Sequence, residues 1–92
     1  MLKITKVASS KQEITVQLDG RVTGQWVELL RQSAESVLAE GLRLALDLEN
    51  IYFIDCEGLA LIRSLIDRGV RQVNAPLFVV EQIRKGEAGQ GD

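Results

Sequence analysis

The sequence predicts a single α/β domain: a mixed, mostly parallel sheet with helices packed against it, in the order β-β-α-β-α-β-α. Three observations lead there. The chain has 92 residues, enough for one domain and too few for two. Its apolar period changes along the chain between two, which marks a half-buried strand, and three to four, which marks an amphipathic helix. Strand-like runs stand on both sides of the helical ones, and a strand–helix–strand unit pairs its strands in parallel.

Leu2, Ile4 and Val7 open a short first strand, and Ser9, Ser10 and Lys11 form a turn. Ile14, Val16 and Leu18 then alternate with Thr15, Gln17 and Asp19, which predicts a second strand close enough to pair antiparallel with the first. Asp19-Gly20 closes it. The hydroxyl of Thr23 is expected to cap the next element. From Gly24 to Glu40, Trp26/Val27, Leu30, Ala34 and Val37/Leu38 recur at helical spacing, with Glu28, Arg31, Gln32 and Glu35 opposite. Gly41 is placed to end that helix.

Leu42 to Leu48 (LRLALDL) is short and apolar, the pattern of a central strand buried on both faces. Glu49 to Tyr52 reads as a loop, overlapping a second apolar run from Ile51 to Ile54. Gly58 to Arg68 is helical again: Leu59, Ile62 and Ile66 lie on one line, with Leu61 and Leu65 beside it. Gly69 ends it, and Val70 to Ala75 is the last strand candidate. Pro76 suits the first position of a closing helix, where no N–H is needed. Val79, Val80 and Ile83 are its expected buried face. Residues 1–84 form the expected domain. Residues 85–92 (KGEAGQGD) hold three glycines and no large apolar side chain, so a flexible tail is expected.

Composition narrows the function. A net charge of −2 and a pI of about 5.1 leave no electrostatic footprint for nucleic acid. The chain has no His, which removes the commonest general base and metal ligand. Its one Cys forms neither an internal disulfide nor a zinc cage. No run reaches the roughly 18 apolar residues of a membrane span. The alternating start MLKITKVASS is unlike a signal peptide. A cytoplasmic, non-enzymatic protein without cofactor or metal is the expectation.

The segment Leu44 to Leu65 (LALDLENIYFIDCEGLALIRSL) resembles the signature of STAS domains, the module of anti-sigma factor antagonists and sulfate transporter tails. That pattern is a strand ending in Leu-Asp-Leu, a short loop, Phe-hydrophobic-Asp-Ser-Ser/Thr-Gly-Leu, then a helix. Asp47-Leu48, Phe53-Ile54-Asp55 and Gly58-Leu59 match it in place and spacing. Val16 to Val22 resembles the family's second strand and its turn, and Gly69 to Ile83 its last strand and helix.

The resemblance implies a STAS-like fold and a docking module rather than a catalyst. In the family a partner kinase phosphorylates a Ser at the tip of the second helix, where free N–H groups and the positive dipole end gather. The added charge then decides docking. Here that position is Cys56, and Glu57 replaces the second Ser or Thr. Thr23 stands where the family often has Asp. Docking not gated by phosphorylation at position 56 is therefore expected. The implied partner surface is Asp55, Cys56, Glu57 and Gly58, with Glu49, Asn50 and Tyr52 beside it.

Each of these residues also has a purely structural reading. Asp55 suits an N-cap, Glu57 a favourable place on the helix dipole, and Gly58 close packing of the helix on the sheet. Glu57 otherwise imitates a phosphorylated residue, with one charge against nearly two. Cys56 is expected as a small buried hydrophobe; a redox thiol and a surface docking residue are its other readings. Asp47 either caps its loop or joins Asp55 and Glu57 in an acidic rim. Nothing else supports a magnesium site or an acid–base pair on those carboxylates. Trp26 and Phe78 are expected in the core, Tyr52 partly exposed, and Ser64 solvated.

Three functions follow in order. The first is an anti-sigma-antagonist-like regulator docking on an anti-sigma factor, a serine-kinase-type regulator or a signalling assembly. The second is an accessory subunit on the ATPase of an ABC-type transport complex. The third is a thiol switch through Cys56. A homodimer through a sheet edge or the last helix stays open.

Overall fold

The computed structural model describes residues 1–89, with side chains through residue 85. Its elements are β1 (Leu2–Ser9), β2 (Glu13–Val22), α1 (Gln25–Ala39), β3 (Arg43–Ile54), α2 (Cys56–Asp67), β4 (Arg71–Val73) and α3 (Leu77–Gly89). The strands form one sheet in the order β1-β2-β3-β4. β1 pairs antiparallel with β2, while β2–β3 and β3–β4 are parallel. This is the expected single α/β domain and the expected element order.

The alternation in β2 divides the sheet's two faces. Val16 and Leu18 are buried, and Thr15, Gln17 and Asp19 are half-buried on the opposite face. Helix α1 packs on β2, β3 and α2, and α2 packs on β3 and α3. The core joins Leu18 and Val22 of β2, Leu44, Leu46 and Leu48 of β3, Leu30 of α1, Ile62 and Leu65 of α2, and Val79 of α3. Burying each such side chain contributes about 1.5–3 kcal/mol. Gly41 and Gly69 end α1 and α2 as expected, with φ of 79° and 94°. At α2 the amides of Gly69 and Val70 donate to the carbonyls of Ile66 and Leu65, which satisfies the helix's last acceptors.

Several boundaries differ from the sequence expectation. The loop expected at Glu49 to Tyr52 is strand: β3 runs unbroken from Arg43 to Ile54. Gln17 pairs with Asp47, Asp19 with Asn50, Gly20 with Ile51 and Arg21 with Phe53. The offset grows by one residue twice, so β3 carries two bulges against β2. Each bulge turns two successive side chains outward. Leu48, Ile51 and Ile54 are therefore buried, and the pairs 49–50 and 52–53 are exposed. That period of three matches neither template used to read the sequence.

Thr23 does not cap α1. The cap residue is Gly24, whose side is completed by a different partner described below. α2 starts at Cys56, not Gly58. β4 is three residues long because Asn74 turns into the left-handed region, with φ of 54°. Pro76 precedes α3, its carbonyl accepting the amides of Val79 and Val80. Val79 and Ile83 are buried and Val80 is half-buried. α3 is helical to Gly89, overlapping the start of the segment 85–92; the remainder of that segment lies outside the described residues.

Candidate functional site

The C-terminal ends of β2 and β3 lie together, since Val22 pairs with Ile54. Helices α1 and α2 both start there. Asp55 joins the two starts. Its Oδ1 accepts the amide of Gly58 at 2.7 Å, the N-cap bond of α2. Its Oδ2 accepts the amide of Gly24 at 3.1 Å, at the start of α1. Its own amide donates to the carbonyl of Val22 at 3.1 Å. One carboxylate thus serves the first turns of two helices and ties both to β2.

Gly58 is buried at this junction. A Cβ there would stand 2.5 Å from the Val22 carbonyl oxygen, 2.9 Å from Val22 Cγ1 and 3.1 Å from Ile54 Cγ2. The first turn of α2 lies this close to the sheet only because position 58 has no side chain.

Cys56 and Glu57 are exposed at the tip. The expectation of a buried thiol is overturned: Cys56 opens the helix one residue after the cap, and the sheet-facing place falls to Gly58. Glu57 lies in the first turn of α2, where its charge meets the positive end of the helix dipole.

Asp47 is not part of this tip. Its Oδ1 accepts the amide of Glu49 at 3.1 Å, and its Oδ2 accepts Nδ2 of Asn74 at 3.2 Å. It fastens the end of β4 to β3, so no acidic rim forms with Asp55 and Glu57. Among the described residues no three His, Cys, Asp or Glu side chains converge as metal ligands.

Beside the tip the second bulge presents two aromatic rings. Tyr52 is 63% exposed and Phe53 51% exposed. Arg21, paired with Phe53 across the sheet, holds its guanidinium carbon 5.6 Å from the Tyr52 ring centroid, within cation–π reach. The three line one shallow recess. Tyr52 is exposed as expected. Sequence reasoning placed Phe53 in the signature but not among the docking residues, and it did not single out Arg21. The only signal was the adjacent pair Tyr-Phe between Ile51 and Ile54, which becomes informative once the bulge is known. Glu49 and Asn50 form the lower outward pair of the same strand.

Two further aromatic expectations divide. Trp26 is half-buried and packs against the core. Phe78 remains 38% exposed, because the next residue, Val79, takes the buried line of α3. Ser64 is exposed, as expected. Among the described residues no helix is long and apolar enough to cross a membrane.

No family model matches this sequence, and no curated protein matches it. Among solved structures the chain is similar to that of the anti-sigma factor antagonist SpoIIAA in its unphosphorylated form. The TM-score is 0.70 at 16% identity, and the match covers 89% of this chain and 82% of that one. The chain has a STAS-like fold: one α/β domain with a four-stranded mixed sheet in the STAS order.

Proposed function

We propose that this chain is a non-enzymatic, cytoplasmic regulatory module that works by docking on a protein, in the manner of an anti-sigma factor antagonist. The observation that carries this reading is the exposed end of the sheet. Tyr52 and Phe53 are solvent-facing beside the tip of α2, while Asp55 and Gly58 are used up in building that tip. Exposed aromatics next to polar residues are the usual anchors of protein interfaces. Docking centres on Cys56 and Glu57, held in place by Asp55 and Gly58, with Glu49, Asn50 and Tyr52 alongside. A thiol is not a kinase acceptor, so phosphorylation at position 56 does not gate it. Glu57 supplies a permanent charge at the helix tip in its place.

The test is capture from native lysate with the full chain as bait, set against Tyr52→Ala and Phe53→Ser baits. Recovery of an ATP-binding anti-sigma factor or related kinase, lost with both variants, is expected. The same partner recovered equally by the variants would move the docking surface elsewhere. Recovery of a transporter ATPase subunit instead would replace the regulator by an accessory subunit of a transport complex. Given the recovered kinase and ATP, the native chain takes up no phosphate at position 56 and Cys56→Ser does.

A further inference from the structure

The distribution of paired and unpaired charge states what the partner must bring. Three acid–base pairs stand elsewhere on the surface. Arg71 grips Glu13 through Nε and Nη2 at 3.1 and 2.9 Å. Arg68 grips Glu35 through Nη1 and Nη2 at 2.6 and 3.0 Å. Arg31 holds Glu28 at 3.1 Å. On the strand beside the tip and at the tip itself, Glu49 and Glu57 are exposed and make no ion pair among the described residues, so both carboxylates are open to an incoming cation. Arg21, beside the rings, lies over Tyr52. Both oxygens of Asp55 are taken by backbone amides. An exposed aromatic pair thus stands on β3 with an unpaired carboxylate on either side of it in sequence.

We propose that this end accepts a basic, apolar protein segment: an aliphatic or aromatic side chain against Tyr52 and Phe53, flanked by Lys or Arg directed at Glu57 and Glu49. This rests on the docking reading above and adds the chemistry of the partner. Complementary charge selects the partner and speeds encounter, while the buried rings carry the affinity. An acidic segment is disfavoured because it would set like charges beside Glu49 and Glu57. A second copy of this chain is also disfavoured, since two such ends bring the same acidic residues face to face.

The probe is an array of synthetic 12-residue peptides, varied independently in net charge and apolar content and read with the fluorescently labelled full chain. Bound peptides are expected to combine Lys or Arg with Leu, Ile, Phe or Trp. In titrations of the best peptide, Phe53→Ser and Glu57→Lys each weaken binding by about tenfold or more. Glu57→Gln, which leaves the helix start neutral rather than reversed, weakens it less. Raising salt weakens it severalfold. Arg43→Ala, at the opposite end of β3, leaves it unchanged. Unfolding curves of each variant confirm that the fold persists.

Enrichment of acidic or uncharged peptides overturns the proposal but leaves docking at this end standing, provided Phe53→Ser still abolishes it. Basic apolar peptides that bind equally well to Phe53→Ser and Glu57→Lys overturn both. An array without any enriched peptide overturns the proposal, and sedimentation showing a dimer that Phe53→Ser dissolves would assign the surface to a second copy.

Discussion

Both carboxylate oxygens of Asp55 accept backbone amides, one from Gly58 in the first turn of α2 and one from Gly24, the cap residue of α1. Asp55→Ala leaves the Gly58 amide without its partner at a part-buried place and returns the exposed Gly24 amide to solvent. A lost cap costs about 0.5–2 kcal/mol and an orphaned buried donor about 1–3 kcal/mol. The expected loss is therefore about 1–3 kcal/mol in urea unfolding, with Asp55→Asn losing less because one oxygen remains. An unchanged midpoint for Asp55→Ala would show that the junction is held by packing alone. Half of this role is legible in sequence: an Asp three residues before Gly58, ahead of an apolar helical run, is a cap signal. The other half is not, since Gly24 is 31 positions away. The misplacement of Cys56 has a related cause. Composition ranks a lone Cys as a buried hydrophobe, but the start of α2 is set by Asp55, and that start puts position 56 outside.

At the scale of elements, the corners of the fold are joined by ion pairs that sequence spacing does not reveal. Glu35 of α1 accepts both guanidinium arms of Arg68 at the end of α2. The hydrogen bond to Arg68 holds the Glu35 carboxyl below the usual carboxylate range, against a smaller opposing effect of burial. A carboxyl lowered on folding adds stability that is present above its unfolded range and lost as pH falls through the lowered value. Glu35→Gln is therefore expected to unfold more easily than the native chain near pH 7, with the two converging as the pH falls through the lowered value. The effect is small, since both side chains are exposed. Denaturant midpoints at a series of pH values measure it; a gap that widens toward acid would contradict it. The same scale holds the misread loop. Glu49 and Asn50 suggest a turn by composition, and Tyr52 and Phe53 break the alternation. β3 nevertheless stays a strand, because β2 continues alongside and the bulges absorb the two extra residues.

Across the whole molecule stability is uneven. β2 and β3 each have strand neighbours on both sides along part of their length, and their inward residues are the most buried. β4 is short, and α3 packs chiefly on α2. Hydrogen exchange is expected to show the central amides of β2 and β3 opening only with global unfolding, and those of α3 opening locally at lower free energy. Uniform protection from β2 through α3 would refute that. The proposed docking end lies on β3 and the start of α2, so it is expected to be preorganised rather than assembled on binding.

The sequence by itself determined the class of fold, the order of elements, most of the apolar residues of the core, the glycine stops at Gly41 and Gly69 and the cap at Asp55. These follow from local periodicity and from what single residue types allow. Only the tertiary structure decided the register of β3 on β2, the second bond of Asp55 and the outward turn of Cys56 and Phe53. The physical reason is the same in each case. A bulge, a bond spanning 31 residues and the face a side chain takes are set by a neighbour distant in sequence. In this chain those neighbours, Val22 to Gly24 and the end of β2, build the end of the sheet where docking is proposed.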